Sequence, residues 1–193
     1  MFGFSLIELL VVVALIVLLT TLYWGSNSGG RQKKALASCQ DNLQKTYIAL
    51  EIFAKDHDSK FPETPGARTA EEPLDLLVPR YTSDTSILIC PGSKDDPLPS
   101  GESLRKWKIS YAYYLGRRLS DNAEPLMSDR QVDSLSKVSG QAAFSSTGKA
   151  PGNNHDKSGG NVLFSDGHVQ RTGPNAAFPL ALSSGVTLLN PKP

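Results

Sequence analysis

The stretch that decides the fold is FSLIELLVVVALIVLLTTLYW, which runs from Phe4 to Trp24. Glu8 is the only charged residue among these 21. As an α-helix that rises ~1.5 Å per residue, the run would be about 31 Å long. This length matches the ~30 Å hydrocarbon core of a bilayer. We therefore predict a transmembrane helix over residues 4–24, preceded by a leader of residues 1–3.

The length and composition of the whole chain predict one globular domain and one appendage. The protein has 193 residues, 39% of them hydrophobic, and a formal net charge of +1. A domain usually needs on the order of 100 to 150 residues, so one globular unit and one appendage account for the length. A nucleic-acid binder concentrates Lys and Arg to neutralise phosphates, and the balanced charge predicts no nucleic-acid partner.

An amphipathic helix is predicted over residues 31–60, after a hinge over the GSNSGG segment at 25–30. Glycine and serine weaken a helix, whereas apolar residues at steps of three and four keep one helical face apolar. Pro62 closes the helical region, because the residue before a proline is pushed out of the α conformation. The apolar stripe consists of Leu36, Cys39, Leu43, Tyr47, Leu50 and Phe53 or Ala54.

A β-rich globular region is predicted over residues 61–193, where short apolar runs alternate with Pro, Gly, Asp and Ser. Asp166-Gly167 lies between two of these runs and tolerates the positive φ of a tight type I′ turn. Tyr111 and Tyr113 share one face of their strand, and core packing is the preferred interpretation of both. The predicted strands are 86–90, 109–115, 141–145, 161–165 and 168–172.

The first residues of the chain form a specific motif, in which Gly3 and Phe4 lead through Ser-Leu-Ile to Glu8 and directly into the apolar run. This motif resembles the class III signal of type IV pilins and type II secretion pseudopilins. The resemblance implies that prepilin peptidase cuts after Gly3 and methylates the new amine on Phe4. Glu8 then becomes the fifth residue of the mature chain.

Glu8 also needs a partner on physical grounds. An ionisable group at the end of an apolar span costs roughly a few kcal/mol unless it is paired or reaches the interface. The new ammonium on Phe4 of one subunit can meet the Glu8 carboxylate of its neighbour as the helices pack into a filament. The two groups lie four residues apart in one chain, so a contact within one subunit stays open.

Two other interpretations of the N-terminus stay open. In the first, about 28 residues are a secretory signal peptide, although such signals carry a basic n-region and a shorter apolar core. In the second, residues 4–24 are a simple one-helix anchor. Arg31, Lys33 and Lys34 follow the span and, taken alone, would place the rest of the chain in the cytoplasm. The motif outweighs this charge pattern in our prediction.

The resemblance extends into the rest of the chain. The segments 39–44 and 89–91 look like pseudopilin-like proteins, and His155 followed by Asp166-Gly167-His168 resembles their processing-associated H-X9-DG signature. Ten residues separate His155 from Asp166 here, one more than in the signature. The implied fold is α+β and pilin-like, with a long N-terminal transmembrane-to-periplasmic helix packed on a small antiparallel sheet.

The function that the resemblance implies is that of a structural subunit, not an enzyme, in a type II secretion or type IV pilus-like filament. The implied partners are further copies of the chain, prepilin peptidase, an assembly ATPase, a platform membrane protein and the inner membrane. The expected location is single-pass in the inner membrane with the globular region in the periplasm, and then a periplasmic or extracellular filament. The sequence has no hydrolase elbow, phosphate-binding loop or zinc-protease motif. The alternative function is a membrane-anchored periplasmic enzyme or metal-binding domain.

Cys39 and Cys90 are the only cysteines and are a disulfide candidate if the bulk of the chain is exported. Two free thiols are the alternative. Such a bridge closes a loop of about 50 residues and would stabilise the fold by about 4 kcal/mol on the chain-entropy model.

Metal donors concentrate around the predicted hairpin. No cofactor is predicted, and calcium is the candidate ion, because secretion pseudopilins bind calcium in a C-terminal loop. Calcium takes oxygen ligands, so the simpler interpretation is that Asp166 turns the hairpin and the histidines hydrogen-bond loop backbone. The candidate ligands are His155, Asp156, Asp166 and His168.

Overall fold

The computed structural model of the chain describes residues 5–25 and 27–193, and for the helical residues among 22–29 it describes the backbone alone. The chain divides into two compact units, Met1–Lys34 and Ala35–Pro193. Its α-helices are α1 (Leu6–Gly25), α2 (Asn27–Asp56) and α3 (Glu71–Leu74). Short 3₁₀ helices cover Asp75–Leu77, Thr85–Leu88 and Leu104–Lys106. The strands are β1 (Tyr111–Leu115), β2 (Pro125–Asp129), β3 (Gly160–Phe164), β4 (Val169–Thr172) and β5 (Thr187–Leu189).

The first helix has apolar side chains on all sides, with Glu8 as its only charged residue, and each of its described side chains is exposed. Leu6 is 81% exposed and Leu19 is 62% exposed. A helix that is hydrophobic all round is normally covered by a partner. α1 therefore presents an apolar surface to its surroundings along its described side chains.

Within residues 5–25 and 27–193, no helix combines the length and the apolar character needed to cross a membrane. Judged on these residues, the predicted transmembrane helix over 4–24 is wrong, and so is the predicted single-pass inner-membrane location with a periplasmic globular region.

The segment 25–30, predicted as a hinge, is mostly helical. α1 ends at Gly25 and α2 begins at Asn27, while Ser26 lies outside the described residues. Each interior glycine costs about 1 kcal/mol relative to alanine. Helix propagation from the long segment that follows offsets this cost, because each added residue gains a hydrogen bond once the helix is nucleated.

The part of α2 beyond Lys34 buries the apolar stripe. Ile52, which the helical register places on the polar side, is 47% exposed. The helix ends at Asp56, before the predicted end at residue 60, and Asp58 and Ser59 adopt positive φ values of 51° and 62°. The side chains buried in the core are Leu36, Cys39, Leu43, Leu50, Phe53 and Ala54.

The sheet of the second unit is five-stranded and antiparallel throughout, with strand order β4-β3-β2-β1-β5. The α+β class and the small antiparallel sheet are thus present. One face of β1 places Tyr111 and Tyr113 in the same core as the α2 stripe. The opposite face places Ala112 and Tyr114 against Leu188. The tyrosines of β1 are therefore core residues.

Two of the predicted strands are wrong. Residues 85–88 form a 3₁₀ helix because the Asp84 carboxylate accepts the Ser86 N–H and caps its first turn. The segment 141–145 forms only an isolated bridge between Ala142 and Asn175. The segments 109–115, 161–165 and 168–172 correspond to β1, β3 and β4, whereas β2 and β5 were not predicted.

Candidate functional site

Four side chains from four separate segments meet in the core of the second unit. Cys39 lies on α2, Cys90 follows the 3₁₀ helix 85–88, Asp129 is the last residue of β2, and His155 lies in the loop before β3. Cys39 and Cys90 are joined by a disulfide with a Cα–Cα distance of 5.2 Å. The bridge ties α2 to the loop that leads toward the sheet. We call these four residues the Cys-Asp-His group.

The ligating atoms of the Cys-Asp-His group all lie within 4.8 Å of one another. His155 Nε2 is 3.2 Å from Asp129 Oδ2 and 3.3 Å from Cys90 Sγ. In the described part of the chain, this is the only group of three or more His, Cys, Asp or Glu side chains close enough to share a metal ion. Its donors are two sulfurs, one nitrogen and one oxygen, a set that suits zinc.

The group is closed to solvent. Cys39, Asp129 and His155 are fully buried, and Cys90 is 1% exposed. A catalytic cysteine or histidine must touch a substrate, and a catalytic zinc keeps an open coordination position. The burial therefore favours a structural role for the group over a catalytic one.

Neighbouring polar groups hold the Asp129 carboxylate in place. Asn154 Nδ2 donates to Asp129 Oδ1 at 2.9 Å, and the backbone N–H of Asn161 donates to Asp129 Oδ2 at 2.8 Å. Asn154 Nδ2 also donates to the carbonyl of Ser110 at 2.7 Å. Burial first, and the Asp129 charge second, raise the pKa of Tyr111 well above its ordinary value. The carboxylate therefore influences a core residue on β1.

Only one of the two ring nitrogens of His155 has a hydrogen-bond partner. Its Nε2 faces Asp129 and Cys90, whereas its buried Nδ1 has no hydrogen-bond partner. Buried polar atoms are normally paired, so an orphaned one calls for an explanation. A Cβ on Gly92 would lie 2.6 Å from both His155 Nδ1 and the Asn154 carbonyl oxygen. Glycine is thus the residue that lets the backbone pass beside the ring.

The structure does not bring together the four predicted metal ligands. Asp166 and His168 are exposed and pair with each other at 2.6 Å between Oδ1 and Nδ1. Although burial alone would raise the pKa of Asp166, the hydrogen bonds and charge of His168 lower it. Asp156 is exposed with φ 58°, and His155 belongs to the buried group instead.

The hairpin at Asp166 has a longer loop than a type I′ turn. The Phe164 N–H donates to the His168 carbonyl, so three residues form the loop, with Gly167 at φ 89°. Tyr47 of α2 donates its hydroxyl to the Ser165 carbonyl, and a Cβ on Gly167 would lie 2.6 Å from the Tyr47 ring. Asp166-Gly167 therefore turns the chain and lets α2 pack on the hairpin.

The sequence predicts Cys39 and Cys90 as a disulfide and His155 as a separate metal ligand, and it does not predict Asp129. The β2 strand was not recognised, because it begins with Pro125 and ends in Ser-Asp. The available signal is a carboxylate, Asp129, two residues after the apolar pair Leu126-Met127.

Of the three predicted site residues at the N-terminus, the structure describes Glu8. Gly3 and Phe4 lie outside the described residues. Glu8 Oε2 accepts the Ser5 backbone N–H at 2.9 Å, which is half of the reciprocal capping arrangement found at helix N-termini. The carboxylate therefore has a local contact at the start of α1.

Comparison with known proteins finds no matching family model, no matching curated protein and no matching solved structure.

Proposed function

We propose that this protein is a pilin-like structural subunit, not an enzyme, that assembles into a filament through α1. The observation that carries the proposal is the exposure of a predominantly apolar helix: each described side chain of α1 is exposed, including Leu9 at 60% and Ile16 at 55%. Exposed apolar patches of this size mark interaction surfaces.

The energetics favour self-association through this helix. Burying one Leu, Ile or Val side chain contributes roughly 1.5 to 3 kcal/mol, so four such side chains contribute on the order of 6 to 12 kcal/mol before the costs of association. Identical chains that associate head to tail form an open helical filament when the rotation between neighbours does not close. Copies of the same chain are thus a sufficient partner for α1.

Glu8 gives the packed helices an axial register in this proposal. It is the one charged group in the apolar run, and the non-directional packing of Leu, Val and Ile leaves the axial position free. Cleavage after Gly3 by prepilin peptidase creates the amine on Phe4, which pairs with Glu8 of the neighbouring copy. An assembly ATPase and a platform protein drive the growth of a type II secretion or type IV pilus-like filament.

The test compares filament formation by Glu8 variants of the full chain, produced together with a prepilin peptidase and imaged by electron microscopy. Glu8→Gln keeps an oxygen that accepts the Ser5 N–H, since Gln also serves in capping boxes, but it lacks the charge. Glu8→Ala lacks both. We expect both variants to lose filaments, and the control Glu51→Gln, which removes a salt bridge with Lys55 on α2, to keep them.

Normal filaments from Glu8→Gln would contradict charge pairing and leave Glu8 as a helix cap. Mass spectrometry of the mature chain adds an independent readout, for which we expect N-methylphenylalanine derived from Phe4 at the first position. Filaments built from chains that retain Met1 would contradict the proposed processing.

A further inference from the structure

The Cys-Asp-His group offers more ligand atoms than a disulfide uses. We propose that it is a redox-gated metal site: when the Cys39–Cys90 bridge is reduced, the two thiolates, Asp129 and His155 bind one Zn²⁺. In the oxidised chain the disulfide holds the same segments together and the zinc site is absent. This inference does not depend on filament assembly.

The geometry is close to that of a tetrahedral zinc site. Zinc bonds of about 2.0 to 2.3 Å place neighbouring ligand atoms roughly 3.3 to 3.8 Å apart. His155 Nε2 already lies 3.2 Å from Asp129 Oδ2 and 3.3 Å from Cys90 Sγ. Once the S–S bond is broken, the main adjustment is the separation of the two sulfurs to nonbonded distance.

The orientation of His155 points to a shared ion. A single ring nitrogen, Nε2, faces both the Cys90 sulfur and the Asp129 carboxylate, while Nδ1 is buried without a partner. An imidazole that binds zinc does so as the neutral ring, through one nitrogen.

The surroundings provide outer contacts for two of the four ligands, Asp129 and Cys90. Asn154 and the Asn161 backbone N–H hold the two oxygens of Asp129, and the Gly92 N–H donates to Cys90 Sγ at 3.3 Å. Such contacts orient ligands, and hydrogen bonds from N–H groups stabilise an anionic acceptor. The complete burial of the group matches a structural zinc site, in which all four positions are filled by protein.

A small dithiol can reduce the Cys39–Cys90 disulfide. The dithiol supplies two electrons and two protons, so that the S–S bond breaks, two thiols form and the dithiol closes to its own cyclic disulfide. Zn²⁺ then binds the two sulfurs as thiolates, and both thiol protons pass to solvent. α2 stays tied to the loop at Cys90 in either redox state, first by a covalent bond and then by the metal.

The test measures metal binding by the full chain in detergent, oxidised or reduced with a dithiol that is then removed anaerobically. Zn²⁺ alone is the probe, its stoichiometry is measured against a chromogenic chelator, and Co²⁺ is the spectroscopic substitute. We expect one Zn²⁺ per reduced chain, none per oxidised chain, and for Co²⁺ a thiolate charge-transfer band with the d–d bands of tetrahedral cobalt.

Asp129→Asn and His155→Gln should each weaken zinc binding by at least tenfold, since each removes one ligand. The matched control His168→Gln alters an exposed histidine outside the group and should bind zinc as the parent does. Circular dichroism reports whether each chain is folded. If reduction unfolds the metal-free chain, zinc should restore the folded spectrum.

The proposal is overturned if the reduced chain takes up no zinc, whether folded or unfolded, or if the oxidised chain binds as much as the reduced one. Equal binding by the parent, Asp129→Asn and His155→Gln chains would overturn it as well, because the ion would then lie elsewhere.

Discussion

Loss of the Cys39–Cys90 bridge should destabilise the second unit by an amount set by the loop it closes. The two cysteines are 51 residues apart in sequence. On the chain-entropy model, opening a loop of this length lowers the free energy of unfolding by about 4 kcal/mol. The whole stability of a domain is roughly 5 to 15 kcal/mol, so the loss removes a large part of it.

The assay is urea unfolding of the full chain in detergent, followed by circular dichroism with a metal chelator present. One arm reduces the parent chain with a dithiol, which keeps both sulfur atoms in the core and isolates the effect of the cross-link. The other arm uses the double variant Cys39→Ala/Cys90→Ala, which adds a small packing loss. We expect both arms to lose about 4 kcal/mol, with the variant slightly the less stable.

A loss below about 1 kcal/mol in both arms would refute this reasoning. It would mean that the unfolded chain is held compact without the bridge, or that the segments around Cys39 and Cys90 do not need to be tied together. A large loss in the variant alone would assign the stability to core packing instead of loop closure.

Three further predictions concern single residues. Gly92→Ala should lower the free energy of unfolding by about 1 to 3 kcal/mol, because its Cβ would lie 2.6 Å from His155 Nδ1; unchanged urea midpoints would contradict this. Burial raises the pKa of Tyr114 to about 12 from 10.0, so its stability contribution is complete below pH 10.0 and is lost as the pH rises toward 12. Urea midpoints that stay constant between pH 10 and 12 would contradict the raised pKa of Tyr114. His168→Ala should raise the pKa of Asp166, because the hydrogen bond and charge of the His168 imidazole lower it, and a carboxyl NMR titration with no change would contradict that pairing.

The sequence predicted the elements whose pattern is local. The α2 stripe repeats at helical spacing over residues 36–54, so most of its buried face is predictable, although Tyr47 is only partly buried and Thr46 and Ala49 are buried as well. β1, β3 and β4 combine apolar runs with clear turn residues. The segment at 86–90 has the same apolar character, but the capping carboxylate of Asp84 favours a 3₁₀ helix there. β2 is hard to recognise in the sequence because it begins with Pro125, and proline argues against a strand.

The candidate site could be predicted only in pieces, because its four residues are distant in sequence. Cys39 and Cys90 were evident as a pair, and His155 stood out in the C-terminal motif, but nothing local indicates that strand pairing brings Asp129 beside them. The sequence predicts the metal site at Asp166 and His168 instead, because donors that are close in sequence are easier to recognise than donors that are close only in space.

The most direct test of assembly through α1 is cysteine cross-linking in the full chain. Leu10 on α1 and Leu135 on the second unit are similarly exposed, at 61% and 69%, and the native cysteines are tied in the disulfide. With a short bis-maleimide, we predict covalent dimers from Leu10→Cys and monomers from the matched control Leu135→Cys. Monomers from Leu10→Cys under conditions in which the chains assemble would contradict the proposal that α1 packs against α1 of another copy.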